Sequence, residues 1–167
     1  MPSADLEAAL RAITFSAVGT AGQRCTTMRR LFVHTHVADA LVERLKAAYA
    51  SLPIGDPRED GVLVGPLIDD AAGAAMAAAL DEARALGAAV HGGERVVVAG
   101  REGGVYVRPA LVEMPAQTGP MLRETFAPIL YIVRIGTLDE GLTLNAASTH
   151  GLSSSLFTMD LREMERF

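Results

Sequence analysis

Apolar residues recur along this chain at two spacings, and the way those spacings alternate predicts its elements. Near the start, Leu6, Leu10, Ile13 and Ala17 fall on one face of a helix with a period of about 3.6 residues. Ser3 reads as the N-cap of that helix, Asp5 and Glu7 suit its positive end, and it should stop near Gly19. The triplet Leu31-Phe32-Val33 then reads as a buried strand, and Val37, Leu41, Leu45 and Ala48 mark a second amphipathic helix that ends before Pro53. A third helix spans about Asp69 to Leu86, with Ala72, Met76, Ala79 and Ala83 facing inward and Gly87 as its C-terminal cap. Short apolar runs at Ala89 to His91, Val105 to Val107, Pro109 to Val112, Ile129 to Ile135 and Ser154 to Thr158 read as strands. Between the last two lies a helix from about Leu138 to Ala147, and another begins near Asp160. Helices alternating with short apolar strands predict an α/β fold, a mainly parallel sheet with helices on both faces. Loops that carry chemistry in such sheets gather beyond the carboxyl ends of the strands.

Composition narrows the picture. A chain of 167 residues is one ordinary domain, and with half its residues hydrophobic but only five Phe, three Tyr and no Trp, its core must be built from Ala, Leu and Val. The net charge of −5, with no clustered basic stretch, argues against a nucleic-acid surface. No apolar run reaches membrane-spanning length and the first residues lack the charged and apolar regions of a signal peptide, so the expectation is a cytoplasmic protein with neither membrane nor nucleic acid as partner. One cysteine cannot form an internal disulfide or a multi-cysteine zinc site.

That cysteine, Cys25, is the leading candidate for chemistry. A thiolate attacks a carbonyl carbon well and can hold the acyl group covalently. The competing reading is a small buried apolar residue. Its setting favours chemistry, since Gly19, Thr20, Gly22, Arg24, Thr26 and Thr27 crowd around it. Arg24 could lower the thiol pKa or grip a substrate carboxylate in a bidentate pair, or it could simply pair with an acidic loop. Gly22 either permits a close backbone approach near the thiol or merely ends the first helix. Arg29 and Arg30 read as solvated or ion-paired residues opening a strand. Of the four histidines, His34 and His36 could ligate metal as an i, i+2 pair, but no third ligand accompanies them, and no metal is expected. A dyad of Cys25 with His34, His36, His91 or His150 is conceivable on spacing alone.

The string from Ala17 to His34, including Gly22-Gln23-Arg24-Cys25-Thr26-Thr27, resembles the catalytic-cysteine segment of the NAD(P)-dependent aldehyde dehydrogenase superfamily, nearest to the branch that oxidises α-aminoadipic semialdehyde in lysine catabolism. Arg123-Glu124-Thr125-Phe126-Ala127-Pro128 is similar to the family's Glu-x-Phe-x-Pro segment, and Gly151 to Thr158 resembles the strand that follows it. The resemblance covers nearly the whole chain and implies a cysteine thioester mechanism. By it, Cys25 is the nucleophile and its backbone N–H half of an oxyanion hole. Arg24, Gly151, Leu152 and Ser153 would face the substrate, an amino-acid semialdehyde. Glu124 would accept the ribose hydroxyls of NAD or NADP, and Phe126 would border the nicotinamide. The resemblance further implies that residues 1–167 are a truncated catalytic domain. The cofactor-binding domain, the general-base glutamate and the oxyanion-hole asparagine would then belong upstream, so that this chain alone would be a folded module with weak or no cofactor binding. Uncovered sheet edges and apolar surface would favour a homo-oligomer or self-association.

Overall fold

A computed structural model describes residues 1–167. Its helices are α1 (Leu6–Val18), α2 (Thr35–Ala50), α3 (Asp70–Ala85), α4 (Leu138–Ala146) and α5 (Leu161–Arg166). Its strands are β1 (Arg30–His34), β2 (Ala89–His91), β3 (Arg95–Val96), β4 (Tyr106–Val107), β5 (Ala110–Glu113) and β6 (Ile129–Ile135). Four of them form one sheet in the order β1-β6-β5-β2. β6 is parallel to both β1 and β5, with Arg30 opposite Tyr131 and Ala110 opposite Ile129, while β2 pairs antiparallel with β5 at the edge. β3 and β4 make a separate antiparallel ribbon. This is the mainly parallel α/β sheet that the apolar spacing predicts.

The core sits around β6. Ile129, Leu130, Tyr131, Ile132 and Val133 are all buried. Successive strand residues point to opposite faces, so five buried in a row require cover on both. α1, α2 and α4 all pack against this strand. α1 contributes Ala9, Ile13 and Ala17, and α2 contributes Ala38, Leu41, Val42 and Leu45. No helix is long and apolar enough to cross a membrane.

The helix ends follow local chemistry. Asp5, immediately before α1, accepts from the backbone N–H groups of Glu7 and Ala8 at 2.9 and 3.1 Å. Ser3 lies too early in the chain to reach those amides, and its hydroxyl instead contacts Thr158 and accepts from the Met159 N–H. The expected Ser3 cap is therefore an Asp5 cap. Asp69 caps α3 through the Ala72 N–H at 2.8 Å. At the other end Gly87, at φ +86°, donates to the Arg84 carbonyl while Ala88 donates to Ala83, which is the glycine stop expected there.

Residues 154–158 depart from expectation, because they run without a strand ladder. Their links are a bond from the Met1 ammonium to the Phe157 carbonyl and side-chain contacts of Ser154 and Thr158, and no adjacent strand offers them a register. The loop 53–65 is closed by the Gly55 N–H donating to Val64 and by the buried Asp56 carboxylate. Asp56 accepts from the Arg58 main-chain N–H at 3.0 Å and from its guanidinium, the shortest contact at 2.6 Å, and from Arg101 through Nε at 2.8 Å and Nη2 at 2.7 Å. These hydrogen bonds, with Arg58 the larger influence, hold the Asp56 carboxyl well below the ordinary carboxylate range.

Candidate active site

The cysteine loop leaves α1 through a tight left-handed turn. Thr20, Ala21 and Gly22 have φ of +56°, +51° and +69°, a conformation that costs side-chain-bearing residues energy and that a folded context must hold. Gln23 supplies that hold. Its amide nitrogen donates to the carbonyls of Thr20 and Pro66, and its amide oxygen accepts from the Ile68 N–H at 2.9 Å. Arg24 to Thr27 then form a turn closed twice, by the Thr27 N–H on the Arg24 carbonyl and by the Arg24 N–H on the Thr27 hydroxyl, both at 3.1 Å. Thr27 is buried while Cys25 is exposed at the turn's crest. The Cys25 main-chain N–H has no acceptor within the chain. Cys25 is thus no core thiol.

Gly22 does more than end a helix. A Cβ built on it would lie 2.5 Å from the Ala127 carbonyl and from the Pro128 nitrogen, so two main chains touch there. The close backbone approach expected near the thiol is made by Ala127 and Pro128. Arg29 fastens the same junction, with one guanidinium nitrogen donating to the Ala127 carbonyl and the other to the Gly22 carbonyl at 2.6 Å. Its Cζ stands 5.7 Å from the centre of the Phe126 ring. Burial lowers the Arg29 pKa and the nearby Glu124 charge opposes that shift. Beside it the Tyr131 phenol is pushed up to about 12 by burial and stays neutral. On the far side, Arg123 pairs with Glu82 of α3, Nη1 to Oε1 at 3.2 Å.

A cavity of about 380 Å³ is lined by Cys25, Arg29, Glu124, His150, Leu152 and Ser153, among others. It brings the expected nucleophile, the expected ribose acceptor and the expected substrate-side serine onto one wall system. Arg24, Phe126 and Gly151 do not line it. Arg24 borders a smaller neighbouring hollow with Phe15, Gly19 and Thr26. It is exposed and has no ion-pair partner, contrary to an acidic-loop pairing. Phe126 lies partly exposed over Arg29, and Gly151 is exposed in open space. Glu124 is exposed and its carboxylate accepts no hydrogen bond within the chain.

Of the histidines, His150 lines the cavity with Cys25 and His91 Nε2 lies 3.6 Å from Glu113. His34 accepts the His36 N–H at the start of α2, and no cluster of three metal-binding side chains exists. Gln23, Thr27 and Arg29 are the site residues that the sequence did not single out. A glutamine two positions before the cysteine and an arginine pair opening a buried strand were the available signals.

The aldehyde dehydrogenase family model matches residues 1–167. A curated aldehyde dehydrogenase family 7 member A1 homologue of Dictyostelium discoideum is 44% identical over 156 residues, which cover 93% of this chain and 30% of that protein. The α-aminoadipic semialdehyde dehydrogenase of Rattus norvegicus is 41% identical over 165 residues, covering 98% and 30%. The chain therefore spans about 30% of the length of the curated relatives it matches. Among solved structures, lactaldehyde dehydrogenase from Escherichia coli aligns with a TM-score of 0.92 at 33% identity, covering 99% of this chain and 35% of that one. With the family model running from end to end and the backbone agreeing with a solved member, this chain belongs to the aldehyde dehydrogenase family.

Proposed function

We propose that this chain carries the nucleophile and part of both binding surfaces of an enzyme that oxidises an aldehyde to a carboxylate through a cysteine thioester. The shared cavity supports this most directly, because Cys25, Glu124 and Ser153 all line it. In this reading the Cys25 thiolate adds to the aldehyde carbon, and the free Cys25 N–H stabilises the oxyanion of the hemithioacetal. NAD or NADP, when bound, supplies the hydride acceptor. Glu124 would accept the ribose hydroxyls, and Phe126 would border the nicotinamide. Loss of hydride leaves a thioester on the Cys25 sulfur, and water completes the carboxylate. Arg24, unpaired and adjacent to the nucleophile, anchors the distal carboxylate of an amino-acid semialdehyde, α-aminoadipic semialdehyde being the substrate named for the rat relative. Ser153, on the cavity wall, and Gly151 beside it in sequence would also face the substrate. Residues 1–167 act as a cysteine-bearing catalytic domain, and exposed Leu152, Met159, Leu161 and Met164 support self-association.

The acyl-transfer half is testable on the chain itself. Mixed with p-nitrophenyl acetate, it should release one nitrophenolate per chain in a burst, with the acetyl group found on Cys25 by mass spectrometry, and Cys25→Ser should give no burst. A burst that survives Cys25→Ser sinks the nucleophile assignment. For the anchor, α-aminoadipic semialdehyde should protect Cys25 from alkylation in the parent chain and less in Arg24→Gln, whereas hexanal should protect both equally.

A further inference from the structure

Arg29 and Arg30 are adjacent at the mouth of β1, and their guanidinium groups go to different places. Arg29 holds the carbonyls of Gly22 and Ala127 and lies over Phe126. Arg30 Nη1 donates to Gln117 Oε1 at 2.8 Å and to the Leu144 carbonyl at 3.1 Å, and Nη2 reaches the Asn145 carbonyl at 3.5 Å. Those carbonyls close α4, where a cation is favoured by the helix dipole. Gln117 donates to the same Leu144 carbonyl, completing a small network. Asn145 in turn exchanges two hydrogen bonds with the Ser154 hydroxyl, next to Ser153. Both arginines are half-buried, and burial lowers both pKa values. Neither has a carboxylate partner. A guanidinium held by carbonyls alone works as a rigid fork, a task lysine cannot copy.

The geometry points to Arg29 and Arg30 as a pair of positioning residues that tie the cysteine loop to the two other parts of the site. Arg29 sets the distance to Glu124 and Phe126, and Arg30 sets, through the end of α4 and Asn145, the distance to Ser153 and Ser154. This rests on the reading of those three segments as one site, and it adds that the two tethers are separate and separately breakable. Period-two alternation at a strand is what allows it, because neighbouring residues must face opposite ways. One β-strand mouth thereby carries the register of the whole site.

Hydrogen exchange on the 167-residue chain, without aldehyde or nucleotide, tests this. Arg29→Lys should speed exchange at the hydrogen-bonded amides of Gln23, Thr27 and Ala127 by about tenfold or more, leaving Leu144 to Ala147 at the end of α4 at the parent rate. Arg30→Lys should do the reverse, speeding Leu144 to Ala147 and sparing Ala127. Phe126→Leu and Ser154→Ala, at exposed positions, read the same two tethers from their outer ends and keep the test alive should an arginine variant fail to fold. Each should lose its effect in the matching arginine background and keep it in the other. Exchange that rises evenly in all segments, β6 included, would make the arginines mere fold-stabilising residues and overturn the inference. So would no change in either segment. The p-nitrophenyl acetate burst judges the functional reading independently, so selective exchange without a burst leaves the tethers standing and removes the chemistry.

Discussion

The two segments that flank the candidate cavity are held in opposite ways. At the cysteine loop, main chain meets main chain at Gly22 and Ala127, a buried threonine closes the turn, and a guanidinium fork fills the remaining gap. The stretch from Gly151 to Thr158 is almost wholly exposed at its start and is attached by single side-chain bonds such as Asn145 to Ser154 and by the Met1 ammonium on Phe157. One side of the pocket is fixed by excluded volume, the other by exchangeable hydrogen bonds that water can replace. A nucleophile gains from the first kind of support, because a thiol displaced by an ångström loses its attack geometry. A substrate-facing wall gains from the second, because it can adjust to what it binds.

Substitution at the touching main chains should hurt most. Gly22→Ala combines a positive φ with an overlap of backbone atoms, and it should cost about 3 kcal/mol or more in urea unfolding. A loss below about 1 kcal/mol would mean the two loops can part without penalty. Beneath the loop, Leu130→Ala in β6 removes a fully buried side chain and should cost about 3 kcal/mol by the same measurement.

The Asp56 clamp is a further rigid point, and pH reads it. Its carboxyl is held low in the folded chain, so its contribution is complete above an ordinary carboxylate pKa of about 4 and fades as pH falls below that. Asp56→Asn should therefore unfold earlier than the parent at neutral pH, and the gap should narrow steadily on acidification. A gap that stays constant down to the acid limit would show that shape, not charge, holds the loop.

At the loose wall the expected effects are smallest. Leu152→Ala and Ser154→Ala should each change unfolding stability by less than about 0.5 kcal/mol, because both positions are exposed. Were either to cost as much as Leu130→Ala, the contrast between the two walls would fail.

Much of this molecule was legible in its residues. The run Ile129 to Ile135 announces a doubly covered strand, and Asp69 with Gly87 brackets α3 closely. Cys25, Glu124 and Ser153 were visible as candidates, and one cavity brings them together. Hidden from the sequence were the partners of Arg29 and Arg30. Two of those partners are main-chain carbonyl oxygens 98 and 114 residues further along, and a main-chain carbonyl has no side-chain signature to read. Gly22 was legible as a site of close approach but not for what approaches it, for the same reason. Residues 154–158 have strand-like composition, yet a strand needs a neighbour, and composition cannot supply one.

The parallel register of β1 with β6 carries a consequence for how the chain reaches its folded form. Arg30 and Tyr131 pair across roughly a hundred residues of intervening chain, so the junction that seats the cysteine loop is a contact of high order. Closing so long a loop is entropically slow, and the helices between can form first. The thiol precedes the strand that seats its loop by roughly a hundred residues. Until β6 docks against β1, Cys25 stands without its turn and its neighbours, and the direction of its attack is not yet set.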